Sequence, residues 1–263
     1  MIKIHFLGTC SGTEPMPERH HTSLIFEIGE HYYWFDAGEC SIHRAHTSGL
    51  DVMKARALFI SHCHLDHIGG IPNLFACFNK LIWRFKKRLA TNNTLELFIP
   101  DAGIIPAVKM MVGGGSGKSG RLHFELNEHG VSDGVIYSDE CVRVTALHNR
   151  HLGEDGSSGW HSFSYLIEAD GKRFVYSGDV KFPEELDGFT KDSVDLLIME
   201  TGHHAVDNVC RYAVGARCKM LVFNHHGREI LERPEEMAAL VRSHSESSGI
   251  PMAIAYDGMT LEI

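Results

Sequence analysis

The chain has 263 residues, 43% hydrophobic and 22% charged, with 34 acidic against 25 basic side chains and a formal net charge of −9. That length and composition suit one large α/β domain or two small ones, and the acidic balance excludes polyanion binding through overall charge. No apolar run approaches the roughly 18 residues of a membrane span. Residues 1–6 enter an alternating strand directly, without a signal-peptide layout. Seven cysteines, an odd count with no Cys-x-x-Cys pair, predict reduced thiols and a cytoplasmic location.

Strand patterns come early. Residues 3–7 alternate, 24–28 and 32–35 are apolar, and Gly29-Glu30 predicts a hairpin turn between the latter two. A polar loop, 9–22, separates the first two. The run Ala57-Leu58-Phe59-Ile60 predicts a buried strand, and His62-Cys63-His64-Leu65-Asp66-His67 follows directly. Residues two apart on an extended chain share a side, so His62 and His64 aim together off the strand's end while Cys63 faces away. Asp66 and His67 come where the chain turns, ahead of Gly69-Gly70 and Pro72, and form a second pair. Imidazole and carboxylate are ligands for Zn, Fe and Mn, so the hexapeptide predicts a metal site with room for two adjacent ions.

A helix is expected from about Asn73 into the basic stretch 80–88, where five Lys and Arg accompany Trp83 and Phe85. A solvated helix face is the expectation there, with a local nucleic-acid contact as the alternative. Residues 95–99 form a strand stopped by Pro100, and 104–112 a short helix. The stretch 113–120 has the composition of a P-loop, but its first required glycine falls on Val112 after a helical segment; a surface loop is predicted. A polar stretch with turn signals runs on through Asp133-Gly134. In the second half, 142–144 alternates, and strands at 163–167 and 172–176 flank Asp170-Gly171. Core strands are expected at 195–199, 220–223 and 252–255, and a helix at 234–243. Strands precede helices in each half, which predicts two helix-covered sheets in a single domain, 1–263, with pseudo-symmetric halves of about 1–140 and 141–263. Two ions need more donors than the hexapeptide supplies. His148, Asp179, His225 and His226 all stand just past second-half strands.

His62-x-His64-x-Asp66-His67 with His148, Asp179 and His225 resembles the ordered ligand set of the metallo-β-lactamase superfamily. The resemblance implies a four-layer αββα sandwich. It assigns His62, His64 and His148 to one metal, Asp66, His67 and His225 to the other, and Asp179 as the bridge, with His226 as the alternative to His225. The blocks Phe6-Leu7-Gly8-Thr9-Cys10-Ser11-Gly12-Thr13 and Phe35-Asp36-Ala37-Gly38-Glu39 resemble ribonuclease Z, and phosphoribosyl cyclic phosphodiesterases share this layout. A homodimeric hydrolase is implied, using two divalent ions, Zn foremost with Mn or Fe as alternatives, on a small phosphodiester or RNA substrate. Two departures stand out. Met199-Glu200-Thr201-Gly202 replaces the His-Glu-Ala-Thr block of ribonuclease Z, and no long Gly/Pro-rich arm is evident between Asp179 and His225. The proton for the leaving alkoxide then falls to His203 or His204, oriented by Glu200, while Asp66 binds metal and orients the attacking water. Thioester or lactam hydrolysis in the same fold is a competing reading, and a non-catalytic metal or nucleic-acid binding module is another. The ribonuclease Z-like opening disfavours the first and the complete ligand set the second.

Overall fold

The computed structural model describes residues 1–12, 16–113, 121–155 and 159–263, in two compact units. Unit 1 comprises Met1–Gly8, His20–Gly130 and Asp257–Ile263, and unit 2 comprises Thr9–Arg19 and Val131–Tyr256.

Unit 1 is built on a seven-stranded sheet. Strands β1 (Ile2–Gly8), β2 (Ser23–Ile28) and β3 (His31–Ala37) run antiparallel; β4 (Ala55–Phe59), β5 (Thr94–Phe98) and β6 (Glu125–His129) continue from β3 in parallel. The C-terminal strand Thr260–Glu262 pairs with β1 and lies at the far edge. Trp34, Leu58 and Leu97 occupy one face and pack in a single core with Ile71, Leu74, Phe75 and Phe78. On the opposite face Phe26 meets Phe35 edge-on at 5.2 Å, and Phe35, Phe59 and Phe98 stack across neighbouring strands at 4.9 and 5.0 Å. Burial of both faces explains why these strands read as apolar runs rather than alternation.

The helices of unit 1 are α1 (Ser41–Thr47), α2 (Leu65–Ile68), α3 (Ile71–Phe85) and α4 (Ile105–Val112). The four α3 residues in the core follow the i, i+3, i+4, i+7 spacing of an amphipathic helix. Pro72 opens α3 and Lys86, in the left-handed region, closes it. Its basic end is exposed, including Trp83 and Phe85. Strand β6 forms where the sequence reads as polar. It is an edge strand held by cross-strand pairs: Glu96 accepts hydrogen bonds from Asn127 and His129, and the His129 ring stacks on Phe98 at 4.6 Å.

Unit 2 carries a second seven-stranded sheet. Strands β7 (Gly134–Ser138) and β8 (Arg143–His148) lead to a short pair, β9 (Glu154–Asp155) and β10 (Gly159–Trp160). Then β11 (Phe163–Ala169) runs antiparallel to β8 and β12 (Lys172–Tyr176), while β13 (Leu196–Glu200), β14 (Leu221–Asn224) and β15 (Met252–Ile254) follow β12 in parallel. Its helices are α5 (Asp187–Thr190), α6 (Val206–Gly215), α7 (Arg228–Glu232) and α8 (Pro234–Ser248). Leu197, Met199 and Phe223 of the sheet form one core with Val209 and Cys210 of α6 and Met237 and Val241 of α8. Helix α8 runs five residues past the expected 243 because no breaker intervenes before Gly249, which ends it in the left-handed conformation. Of the glycine-rich stretch 113–120, Gly113 closes α4 and residues 114–120 lie outside the described residues. All seven cysteines are free thiols. Among the described residues, no helix is long and apolar enough to cross a membrane.

Candidate functional site

In each unit the polar residues of interest leave the carboxyl ends of parallel strands, where α/β sheets expose unpaired backbone and collect ligands. In unit 1, β4 ends at Phe59 and delivers Ser61 and His62, both fully buried. His62 Nε2 lies 2.9 Å from His64 Nδ1, and the His62 and His67 rings are 4.0 Å apart. One turn of helix, α2, then places Asp66 Oδ2 3.4 Å from His67 Nε2. Each of the hexapeptide's four donor side chains therefore lies against another of the four.

Asp36, at the end of β3, orients this cluster. Buried at φ 54°, it accepts the Ser61 N–H at 2.7 Å, the Ser61 hydroxyl at 2.8 Å and the His67 Nδ1–H at 2.8 Å. The last bond fixes the tautomer of His67 and leaves the buried Nε2, 3.4 Å from Asp66 Oδ2, as the nitrogen able to bind a metal, a carboxylate–histidine arrangement common behind metal ligands. The chain turns away sharply because position 70 is glycine: a Cβ there would lie 2.1 Å from the Gly38 carbonyl oxygen.

In unit 2, Asp179, Glu200, His203 and His225 bring one donor atom each within 4.8 Å of one another. Asp179 Oδ1 is 3.3 Å from His225 Nδ1, and Asp179 Oδ2 is 3.8 Å from His203 Nδ1 and 3.7 Å from His151 Nε2. Two donors sharing one ion at about 2.1 Å in tetrahedral geometry stand roughly 3.4 Å apart. Imidazole and carboxylate at such spacing fit a divalent metal. His225 holds its place in a left-handed conformation, φ 46°, against Gly202, where a Cβ would come within 2.7 Å of His225 Nδ1.

The structure separates His225 from His226. His226 is fully buried, donates through Nε2 to the Ala255 carbonyl at 2.8 Å and does not face Asp179. Burial first, then the nearby Arg19 charge, pushes its pKa down to about 3.

It also separates His148 from His151. His148 ends β8, donates its N–H and Nδ1–H to Asp133 at 2.7 and 2.6 Å, and lies flat on Trp160 at 4.1 Å. Among the described residues it joins none of the groups of convergent metal-capable donors. His151 reaches Asp179 instead, because Asn149 Oδ1 accepts the His151 N–H at 3.1 Å and turns the chain. Strand-end position alone pointed to His148; the Asx turn hidden in Asn149-Arg150-His151 was the available signal for His151.

Glu200 is buried at the end of β13 and saturated. It accepts the Val180 N–H at 3.1 Å, the His203 N–H at 2.9 Å and His203 Nδ1 at 3.1 Å. Burial works against its charge, but the hydrogen bonds from His203 and His225 outweigh burial and hold the carboxyl well below its ordinary range. The Glu200 bond in turn raises the pKa of His203, whose side chain is 43% exposed. His204 is nearly buried and its Nε2 donates to the Val180 carbonyl at 2.9 Å. Met199 points into the apolar core of unit 2, so this position contributes nothing polar.

Fold and donor set define a metal-dependent hydrolase of the metallo-β-lactamase superfamily, in its ribonuclease Z-like branch. A solved structure with this fold is the metallo-β-lactamase fold protein YhfI from Bacillus subtilis: TM-score 0.75, 18% identity, 100% of both chains covered. More particularly, the chain belongs to the family described as Anti-Pycsar protein Apyc1, whose model matches residues 2–244. Ribonuclease Z of Pyrococcus horikoshii is 26% identical over 269 residues, covering 86% of each chain. Ribonuclease Z of Pyrococcus furiosus is 32% identical over 237 residues, covering 76% of this chain and 74% of that protein. Against the ribonuclease Z of Methanothermobacter thermautotrophicus and of Pyrococcus abyssi, the chain spans 45% and 42% of the relative's length.

Proposed function

We propose that the chain hydrolyses phosphodiesters, either small nucleotide and cyclic diesters or RNA 3′ ends, with two divalent ions, Zn foremost. The observation that carries this reading is the convergence of His225 and His151 on Asp179 in unit 2, at 3.3 and 3.7 Å, in a chain with ribonuclease Z relatives. The proposed ligands are His62, His64 and His151 for one ion and Asp66, His67 and His225 for the other, with Asp179 as bridge. The grouping follows the family resemblance. His151 replaces His148 on the strength of its contact with Asp179. Nothing about the site favours thioester or lactam hydrolysis or a purely binding role. A cytoplasmic homodimer completes the reading, supported by the ribonuclease Z resemblance and the free thiols; sedimentation at assay concentration tests the dimer.

When bound, the ions would supply hydroxide at neutral pH and offset the negative charge of the diester. The protein's own groups do the rest. Asp36 keeps His67 in one tautomer. Asp66 orients the attacking water. His203, tethered to Glu200 and open on its other side, hands a proton to the departing alkoxide, while His204 is committed to Val180.

The test compares metal content and turnover on two diesters, one with an alkyl and one with a p-nitrophenyl leaving group. His203→Ala is expected to lower kcat on the alkyl diester by about 100-fold and to matter little for the phenyl ester, whose leaving group needs no proton. Equal turnover of the alkyl diester removes His203 from the mechanism. His151→Ala is expected to lose metal where His148→Ala keeps it; the opposite result restores His148 as ligand. A glutathione thioester or a cephalosporin turned over in place of both diesters overturns the function.

A further inference from the structure

Between the loops that carry His151 and Asp179, unit 2 holds a cavity of about 420 Å³ lined by Leu147, His148, Arg150, Phe182, Glu184 and Glu185. Both of its rims are fixed by one carboxylate. Glu185 accepts the Arg150 N–H at 3.0 Å through one oxygen, and the N–H groups of Lys181 at 2.9 Å and Phe182 at 3.2 Å through the other. Phe182 is nonetheless 49% exposed, although Val180 and Leu186 on either side are fully buried. A large aromatic ring held in the open by a pinned backbone forgoes the burial that folding offers it. Lys181 Nζ lies over one face of the Phe182 ring, 5.9 Å from its centroid, so a stacking partner has the opposite face. Arg150 is exposed and forms no ion pair among the described residues. The opposite wall is the His148 ring, kept flat by Trp160.

We propose that this cavity is a nucleoside subsite, in which Phe182 stacks the base of the substrate and Arg150 pairs with its phosphate. The inference rests on the phosphodiesterase reading and assigns the place where that site would seat a nucleoside. Stacking on an aromatic side chain tolerates any base, because every base has a π-face, and Arg150 supplies charge without base selectivity. Glu184 sets the polarity of the far rim: it accepts from base amino groups and repels a second phosphate.

Thymidine 5′-(p-nitrophenyl phosphate) and methyl p-nitrophenyl phosphate test this, since they release the same phenolate and differ only in the nucleoside arm. The metal-loaded protein is expected to prefer the nucleoside ester. Phe182→Ala and Phe182→Leu are expected to lower that preference about tenfold, through KM, and Phe182→Trp to retain it. A second readout needs no turnover: calorimetric titration of thymidine 5′-monophosphate into the metal-free protein, with binding about tenfold weaker in Phe182→Ala and Phe182→Leu than in the parent or Phe182→Trp. A loss shared equally by both esters, or preference and nucleotide affinity intact in Phe182→Ala, overturns the subsite. If the parent cleaves neither ester, the phosphodiesterase reading fails, and the calorimetry still decides whether Phe182 binds a base.

Discussion

Asp36 binds no metal in the proposed scheme, yet it governs the aim of a residue that does. Its φ of 54° is one that a non-glycine residue holds only where its surroundings over-determine it, and three hydrogen bonds to one buried carboxylate do so here. Asp36→Asn is the informative change, because asparagine tolerates the same backbone conformation while exchanging one acceptor oxygen for an NH2. Ser61 and His67 both approach Oδ2, so one side of that fork must lose a bond or reverse its proton. We expect metal affinity to fall about 10- to 100-fold, measured by competition with a chromophoric chelator, with the fold retained by circular dichroism. Unchanged affinity would mean that packing alone holds His67. The sequence exposes the hexapeptide because its four donors are adjacent. It conceals Asp36, which lies 31 residues from His67 and meets it only through the parallel pairing of β3 with β4.

Elements were legible wherever burial of both faces or one face left a clear pattern, as in β4, α3 and β13. They were illegible where pairing, not burial, decides. Strand β6 is polar throughout apart from Leu126, and β15 is one residue shorter than its apolar run: Ala255 still donates its N–H to Phe223 of β14, but its carbonyl accepts the side chains of His226 and Arg19. The segment after β14 shows the consequence of such tertiary choices. His226 pairs with residues 9–11 through its own backbone, donating its N–H to Thr9 at 2.7 Å and accepting the Ser11 N–H at 3.1 Å, with its ring sealed inside. A histidine whose folded pKa is about 3 against an unfolded value near 6.5 leaves the unfolded chain binding more protons between those limits. Stability is then complete above about pH 6.5 and declines as the pH falls towards 3, by at most about 1.4 kcal/mol per unit. Urea denaturation at pH 7.5 and pH 5 should show a difference larger by about 2 kcal/mol in the parent than in His226→Gln. Equal differences in the two proteins would rule His226 out as the source of acid lability.

At the scale of the whole molecule, the charge of −9 bears on substrate size. A long RNA must be gripped at many phosphates, and the basic end of α3 is a single short surface on an otherwise acidic chain. The Phe182 cavity, by contrast, holds about 420 Å³, room for one nucleoside rather than a strand. Salt separates the two cases quantitatively. Each single-strand phosphate contact contributes a slope of about −0.7 in log affinity against log salt. Raising salt from about 50 to 200 mM therefore costs roughly threefold for one contact and more than a hundredfold for six. We expect kcat/KM on a nucleoside diester to fall about threefold over that range. A 3′-extended RNA should be the poorer substrate at the higher salt. A steep salt dependence on RNA, together with higher kcat/KM than on any small diester at physiological ionic strength, would instead make α3 part of the substrate path. It would return the chain to the RNA 3′-end reading that its opening residues suggest.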